Sequence, residues 1–362
     1  MTDLLEATAA LVAVPSESHH EAALADVVER RLRRARHLTV DRLGDNVVAR
    51  TTGGQPTRLV VAGHLDTVPA DGNAVPRIEG DRLWGRGAAD MKGGLAIMLD
   101  LATRVAEPAL EVTWAFYVAE EVEAVHNGLG HLFAHRPDLV SGDAALLAEP
   151  TGAVLELGCQ GTLRLEVRLR GVRAHTARPW TGRNAVHRAG HLLAAVDRYE
   201  PRRPVLDGCE YHEALQAVAV HGGVSGNVVP DLATVTLNHR FAPDRTAEEA
   251  RAHVHQVLAP HLEDGDDVVV VDAAGGAPPG LSHPLLAALR ARAGLAVRAK
   301  LGWTDVSRFA AAGIPAANLG PGDPLVAHTR EEHVDRSSLE RVHAALAGAL
   351  RGGEAVRGAA TR

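Results

Sequence analysis

The feature of this sequence that most limits its fold is a regular alternation of strand-like and helix-like segments. RLVVAGHLDTVP (58–69) is a short apolar run typical of a buried strand, and MKGGLAIMLDLATRVA (91–106) has helical periodicity. LEVTWAFYVAEE (110–121) is again strand-like, and a further helical segment and strand follow. Strands that alternate with helices indicate an α/β fold with a mostly parallel central sheet.

The alternation is interrupted near Gly161 and resumes after the turn-rich segment 272–280. Between them, segments such as TLRLEVRLRGV alternate apolar and polar residues, as a strand with one exposed face does. We therefore predict an outer α/β domain of residues 1–160 and 278–362, and an inserted α+β domain of residues 161–277. Two domains are expected, because the 362 residues exceed the roughly 250 to 300 at which a single core stops growing.

The composition is that of a folded globular protein, with 46% hydrophobic and 23% charged residues. A net charge of -7 without a long basic run argues against nucleic acid or an anionic membrane as a partner. The only two cysteines, Cys159 and Cys209, are too few for a disulfide framework. Together these features favour a small-molecule partner and a reducing compartment.

The chain ends give weaker signals. Thr2 and Asp3 are candidate caps for a first helix, and the tail GGEAVRGAATR (352–362) is expected to be loose. The N-terminal segment lacks a basic region, and no run of about 18 apolar residues occurs. We therefore expect a cytoplasmic protein.

Residues able to bind a metal ion recur at the expected strand ends. They are His64, Asp90, Glu121 in the pair Glu120–Glu121, and Glu149. Their separations of 26, 31 and 28 residues each match about one strand–helix unit, so the sheet would deliver them to the same edge. Ligands bind beyond the carboxyl ends of the strands in open parallel sheets. A fifth candidate, His328, follows the insertion.

Single parts of this pattern are weak evidence, because the chain has 20 histidines. A second His-x-Asp occurs at 333–335, and Glu331 and Glu332 form another glutamate pair. The joint placement of the five candidates is what indicates a metal site. Two histidines and three carboxylates suit two divalent ions with one shared carboxylate, and zinc is expected first, with cobalt or manganese as substitutes. Asp66 is expected to orient the His64 imidazole.

Five motifs resemble those of a known family. GHLDTVP, GRGAADMKGG, AEE, AEPT and GPGDPLVAHTREEHV occur in the order found in dinuclear zinc amidohydrolases such as aminoacylase, carboxypeptidase G and acetylornithine deacetylase. The resemblance covers essentially the whole chain. It implies a zinc-peptidase-like catalytic domain interrupted by a lid and dimerisation domain, and hence a homodimer with two Zn²⁺ per subunit. It further implies that His64 and Glu149 hold one zinc, that Glu121 and His328 hold the other, and that Asp90, followed by a cis peptide bond, bridges them.

The resemblance also implies catalytic and substrate-binding roles. Glu120 would act as general base and then as general acid. His175 would stabilise the oxyanion and Asn227 would bind substrate, both in the neighbouring subunit's active site. Arg178 and Arg240 are candidates for binding substrate carboxylates through their planar guanidinium groups. The substrate would be a small N-acyl amino acid that carries carboxylates.

Within the family, EEVEAVHNGLGHL, AHTARPWTGRNAVHRAG and NLGPGDPLVAHT resemble most the succinyl-diaminopimelate desuccinylases. That similarity implies hydrolysis of N-succinyl-LL-2,6-diaminoheptanedioate to succinate and the free diamino acid, in lysine and diaminopimelate biosynthesis. Ala119, Val122 and Thr176 depart from residues common in the family. None of the three is a ligand, so they bear on the substrate more than on the chemistry.

Three other functions fit parts of the sequence. The first, also an enzyme, is a deacylase of another N-acyl amino acid such as acetylornithine, or a small dipeptidase. A catalytically inactive metal-binding interaction protein is a second alternative, although such a protein would be expected to lack a ligand or the base. A nucleotide-binding protein is the third, but GRGAADMKGG lacks the Gly-Lys-Ser/Thr ending and places an aspartate before the helix.

Overall fold

The computed structural model describes residues 3–352. Thr2 and the tail from residue 353 onward lie outside the described residues. Asp3 caps the first helix, as predicted, because its side chain accepts the backbone N–H groups of Leu5 and Glu6. The helices are α1 Leu4–Val12, α2 Ala22–Leu32, α3 Gly93–Arg104, α4 Gly128–His135, α5 Pro137–Val140, α6 Ala185–Asp197, α7 Ala247–Leu258, α8 Pro284–Ala293, α9 Val306–Ala311 and α10 Arg336–Arg351.

The strands are short in the outer part of the chain and longer in the inserted part. They are β1 Thr39–Leu43, β2 Asn46–Arg50, β3 Arg58–His64, β4 Arg77–Glu79, β5 Arg82–Trp84, β6 Glu111–Tyr117, β7 Ala144–Leu147, β8 Leu155–Leu157, β9 Gly161–Arg170, β10 Ala174–His175, β11 Val205–Leu206, β12 Cys209–Glu210, β13 Ala214–Gly222, β14 Val228–Val229, β15 Leu232–Phe241, β16 Asp267–Ala274, β17 Val297–Ala299, β18 Ala316–Asn318 and β19 His333–Asp335.

The chain forms two compact units. The outer unit comprises the chain up to Gly158, Pro279–Arg298 and the chain from Arg308, and the inserted unit comprises Cys159–Pro278 and Ala299–Ser307. The catalytic and dimerisation roles assigned to the two domains from the sequence stay predictions.

The outer unit is built on an eight-stranded sheet in the order β1-β2-β6-β3-β7-β18-β8-β17. The central strands β6, β3, β7 and β18 run parallel, whereas β2 and β8 flank them in antiparallel pairings. Strands β6 and β7 are buried along their whole length, as expected where helices cover both faces of a sheet. The predicted α/β fold with a mostly parallel central sheet is confirmed.

Helix α3 is the most buried helix of the outer unit, because it packs on β3 and is covered by α1, α2 and α10. Its start lies close to the end of β7. A Cβ at Gly94 would overlap the carbonyl oxygen of Ala148, the residue before Glu149, so glycine is needed for this approach. The Asp90–Met91 peptide bond, just before α3, is cis.

The inserted unit contains an antiparallel four-stranded sheet in the order β13-β15-β9-β16. Alternate residues of β9 and β15 are buried against α6 and α7, and they form one apolar cluster with residues such as Leu165, Val235, Leu192 and Val254. The other residues of these strands are partly or fully exposed. The inserted unit therefore has the α+β arrangement with one open sheet face that the sequence predicts.

Candidate metal centre

Three of the candidate metal ligands follow adjacent strands of the outer sheet. β3 ends at His64, β6 ends at Tyr117 shortly before Glu121, and β7 ends at Leu147 shortly before Glu149. Because β6, β3 and β7 are neighbours and parallel, their carboxyl ends lie at one edge of the sheet. The structure thus brings these residues to the edge at which parallel sheets bind ligands.

Asp90 lies between two histidines that are far apart in the sequence. It lies in the kinked segment Ala88–Lys92 that precedes α3, where its own backbone angles are not helical. Its Oδ1 is 3.1 Å from Nε2 of His64, and its Oδ2 is 3.4 Å from Nε2 of His328. The same His328 nitrogen is 2.8 Å from Oε1 of Glu121. One ligand atom each from His64, Asp90 and Glu121 lie within 4.8 Å of one another, so the spacing suits a shared ion.

The electrostatics on the His328 side of the site favour positive charge. Hydrogen bonds with Asp90 and Glu121 raise the pKa of His328 to about 10, although its partial burial acts in the opposite direction. Burial alone would raise the pKa of Asp90, but the two histidines outweigh it and lower that pKa. These carboxylates therefore stabilise a cation between them, whether it is a protonated imidazole or a metal ion.

His64 is held in the orientation that a ligand needs. Its Nδ1 lies 3.0 Å from the backbone oxygen of Asp66, so Nδ1–H donates to that oxygen, while Nε2 faces Oδ1 of Asp90 at 3.1 Å. Burial lowers the pKa of His64, but Asp66, Asp90 and the charge of Glu149 outweigh it, so this pKa is raised well above the usual value. Imidazole nitrogens surrounded by carboxylate oxygens are a donor set that fits divalent metals.

Asp66 orients the site more broadly than predicted. It contacts His64 mainly through its backbone oxygen, since its carboxylate Oδ1 is 3.5 Å from Nδ1. The carboxylate instead accepts the backbone N–H groups of Glu120 and Glu121, each at 3.0 Å, and the hydroxyl of Ser18 at 2.8 Å. Asp66 thereby fixes the glutamate pair, of which Glu121 belongs to the cluster around Asp90.

Two buried glutamates beside the site were missed by the sequence analysis. Glu21 accepts the backbone N–H of Ala119, whose φ of 56° is in the left-handed region just before the glutamate pair. Glu332 accepts the backbone N–H groups of Ala89 and Asp90 at 3.2 and 3.1 Å. The sequence offered little signal for either residue, because their partners are backbone groups brought near by the tertiary fold.

His175 and Asn227 lie side by side in the inserted unit. β10 pairs with β14, so that His175 is opposite Val228, and the Asn227 carbonyl accepts the N–H of Thr176 at 3.0 Å. The Nδ1 of His175 accepts the N–H of Ala177 at 3.0 Å. In a neutral His175 the proton therefore lies on Nε2, where it can be donated to a ligand.

The two candidate arginines differ in their surroundings. Arg178 is exposed in the turn that follows His175, and its own N–H donates to the His175 carbonyl. Arg240 is half-buried on β15, where burial and the neighbouring charge of Arg164 lower its pKa. The guanidinium groups of Arg240 and its neighbour Arg164 together favour an anion as ligand.

Comparison with protein families places the chain among metallopeptidases. A model described as peptidase family M20/M25/M40 matches residues 60–352. The chain belongs to this family. A Mycobacterium tuberculosis protein with the provisional name of a succinyl-diaminopimelate desuccinylase, DapE, is 52% identical over 335 residues, which cover 92% of this chain and 93% of the relative. A succinyl-diaminopimelate desuccinylase of Corynebacterium glutamicum is 43% identical over 350 residues and 95% of each chain.

Solved structures of the M20 family share the fold of this chain. A tripeptidase from Staphylococcus aureus has a TM-score of 0.80 at 20% identity and covers 96% of this chain and 97% of its own. The YXEP protein of Bacillus subtilis, described as a dinuclear metal binding peptidase from the M20 family, has a TM-score of 0.69 at 17% identity, with coverage of 96% and 97%. This M20 chain thus has a metallopeptidase fold. Within residues 3–352, the helices are all too short or too polar to cross a membrane.

Proposed function

We propose that this M20 chain hydrolyses N-succinyl-LL-2,6-diaminoheptanedioate to succinate and LL-2,6-diaminoheptanedioate. The substrate is suggested by relatives that carry this activity in their names and are 43% and 52% identical over at least 92% of the chain. The chemistry rests on one observation: Asp90 offers its two oxygens to His64 and His328 at a strand edge that also presents Glu121. Such a site suits metal-dependent hydrolysis of an amide.

The metal ligands divide into two sets that share Asp90. His64 and Glu149 would hold one ion, and Glu121 and His328 would hold the other. The separate contacts of the Asp90 oxygens with the two histidines support this division. Zinc is the first choice for such nitrogen and oxygen donors, and cobalt or manganese would also bind.

The residues around this site have distinct tasks in the proposed reaction. When bound, the two ions lower the pKa of a water molecule and polarise the substrate carbonyl. Glu120, held through its N–H by Asp66, accepts a proton from the attacking water and then delivers it to the leaving nitrogen. The Nε2–H of His175 donates to the oxyanion that develops on the carbonyl oxygen.

The substrate carries a carboxylate on its succinyl group and at both ends of the amino acid. Arg178 and Arg240 suit these groups, because guanidinium binds carboxylates in a bidentate manner. Asn227, beside His175, would contribute a neutral hydrogen-bonding group. An acetylornithine deacetylase would not need the same number of cationic contacts for its acyl group.

We also propose that the protein is a homodimer that associates through β13. This strand is at one edge of the inserted sheet, and its Val218 and Val220 are 58% and 47% exposed. The sequence from 214 to 224 contains no Asp, Glu, Lys or Arg. The opposite edge strand, β16, carries Asp267 and Asp272, and such charges protect a strand edge from pairing with another chain.

Substrate preference tests the proposed function directly. The purified metal-loaded protein would be assayed for amine release from succinyl-diaminopimelate, acetylornithine and several dipeptides. We expect the highest kcat/KM for succinyl-diaminopimelate. A preference for acetylornithine or a dipeptide would reject the substrate but keep the mechanism, and a protein that binds metal but cleaves none of these amides would favour the interaction protein.

A further inference from the structure

A buried ion pair connects the backbone segments that carry Asp90 and His328. Arg86 and Glu332 are 5% and 1% exposed, and Nη1 of Arg86 donates to Oε2 of Glu332 at 2.8 Å. The second guanidinium nitrogen, Nη2, donates to the backbone carbonyl of His328 at 3.3 Å. A single guanidinium therefore contacts both the Glu332 side chain and the His328 backbone.

The other oxygen of Glu332 binds the turn that contains Asp90. Oε1 accepts the N–H groups of Ala89 and Asp90 at 3.2 and 3.1 Å, and the Glu332 backbone oxygen accepts the N–H of Gly85 at 3.0 Å. Glu332 directly precedes β19, which pairs with β5. The pairing of these strands thus places the Glu332 side chain under the turn, 242 residues after Asp90 in sequence.

The backbone of His328 needs such support. Its φ is 64°, in the left-handed region that a residue with a side chain rarely adopts. Its imidazole is also 48% exposed, so packing alone holds it only partly. The hydrogen bond from Arg86 to the His328 carbonyl fixes the peptide plane and, with it, the direction of the side chain.

The two sides of the metal site are supported differently. His64 and Glu149 follow β3 and β7 in the centre of the sheet, and Asp66 holds His64 directly. On the other side, the loop residue His328 depends on Arg86 for its backbone position. The ion that His328 and Glu121 would hold depends on this pair through both His328 and Asp90, whereas the other ion depends on it through Asp90 alone.

We propose that Arg86 and Glu332 are positioning residues that affect the affinity of the ion bound by Glu121, Asp90 and His328 more strongly than that of the ion on the His64 and Glu149 side. This inference rests on the proposed two-metal function. Neither residue contacts the substrate or the reacting atoms in this role. Residues that hold metal ligands from outside typically change metal affinity by about 10- to 100-fold when they are replaced.

The test is metal binding to the chelator-stripped full-length protein, measured by Zn²⁺ competition with a chromophoric chelator and by Co²⁺ absorption. In Glu332→Gln, the amide places an NH₂ group against N–H donors, so the backbone turn loses part of its support. We expect the ion on the His328 side to bind about 10- to 100-fold more weakly than in the wild type, and the other ion to lose clearly less affinity. Glu331→Gln makes the same charge change at the adjacent exposed residue and should bind both ions normally.

A charge-balanced variant separates this effect from misfolding. Removing one partner of a buried ion pair leaves the other charge uncompensated, so Glu332→Gln alone is expected to destabilise the fold. Arg86→Gln combined with Glu332→Gln removes both charges, and circular dichroism would establish that it is folded. The proposal requires the folded double variant to keep the larger loss of affinity for one of the two ions.

The outcomes distinguish this inference from the proposed function. If the wild type binds two ions and the variants bind both as tightly as the wild type does, only the positioning role is overturned. An equal weakening of both ions also overturns it, because the effect would then not be larger on the His328 side. A wild type that binds only one ion overturns the two-metal function, and the present inference with it.

Discussion

Asp66 is fully buried, and each of its carboxylate oxygens accepts a backbone N–H from one of the two glutamates after β6. Burial would raise its pKa, but His64 and these two N–H groups outweigh that effect and lower the pKa to about 2. The carboxylate thus stays ionised and holds both backbone positions. With the backbone fixed, Glu121 contacts His328 at 2.8 Å.

The proposed proton-transfer role of Glu120 predicts that a substitution at this residue lowers kcat without lowering the metal content. Glu120→Gln removes the acidic group but keeps the size of the side chain and the backbone contact with Asp66. We expect kcat to fall by about 100- to 10,000-fold, which is the usual contribution of a general acid–base group. Metal content measured by atomic absorption should stay at the wild-type value.

Glu123→Gln is the matched control for this prediction, because Glu123 is exposed in the same loop and loses the same charge. It should retain wild-type kcat. A Glu120→Gln protein that kept full activity would contradict the assigned role, and one that lost its metal would show that Glu120 is a ligand.

Strand β15 carries a histidine in the apolar core of the inserted unit. His239 is fully buried, and its Nδ1 lies 2.9 Å from the Ala214 carbonyl oxygen. Its Nε2 has no hydrogen-bond partner among the described residues. Burial lowers the pKa of His239, with smaller opposing effects from the Ala214 carbonyl and from Glu213. The folded inserted unit therefore favours the neutral imidazole.

This burial predicts that acid weakens the inserted unit. Because the folded pKa of His239 lies below the unfolded value of about 6.5, the unfolded chain binds the proton more readily. The free energy of unfolding is unaffected above a pH of about 6.5. It decreases as the pH falls from there toward the folded pKa, by up to about 1.4 kcal/mol per pH unit. Hydrogen exchange of the β9 and β15 amides between pH 8 and pH 5 measures this slope.

His239→Phe should have a flatter slope, even though the loss of the Ala214 hydrogen bond lowers its stability at every pH. His221→Phe, on the exposed part of β13, is the control. An unchanged pH dependence in His239→Phe would exclude His239 as the source of the acid sensitivity.

Elements with a clear alternation or run of apolar residues were predictable from the sequence. Strands that form mainly through pairing with a neighbouring strand were not. The alternation in LATVTLNHRF predicts β15, which spans Leu232–Phe241. The end of β3 at His64 also agrees with its apolar run. By contrast, β16 was not predicted, and the segment from 272 was interpreted as turn-rich. This strand forms through pairing with β9, and its valines are partly exposed at a sheet edge, so periodicity gives no signal.

The same distinction applies to the site. His64, Asp90, Glu121 and Glu149 are predicted as metal ligands because strand ends are visible in the sequence. The structure adds Glu21 and Glu332, whose buried carboxylates bind backbone N–H groups of distant segments. A backbone N–H occurs at almost every residue, so the sequence cannot identify which one a glutamate will bind.

At the scale of the whole molecule, the proposed dimer predicts that association and catalysis are coupled. Val220→Asp places a charge on the exposed edge of β13, and edge charges oppose pairing of strands. We expect a monomer by light scattering, with at least about a 100-fold lower kcat because the partner's oxyanion donor is lost. The metal content should not change, since the candidate ligands all belong to the outer unit.

Val271→Asp is the control on the opposite edge of the same sheet, where Val271 is 50% exposed. It should remain a fully active dimer. A dimer that survives Val220→Asp, or a monomer produced by Val271→Asp, would move the interface away from β13. An active monomer would show that a single subunit supplies the whole site.

The long sequence separation between Asp90 and the segment of His328 and Glu332 has a consequence for protein synthesis. A ribosome translates His64, Asp90, Glu121 and Glu149 well before it reaches His328. While the later segment is still inside the exit tunnel, the nascent chain offers the ligands of one ion but lacks a ligand of the other. In the proposed two-ion site, the ion of Glu121 and His328 therefore cannot be fully coordinated until His328 has left the ribosome.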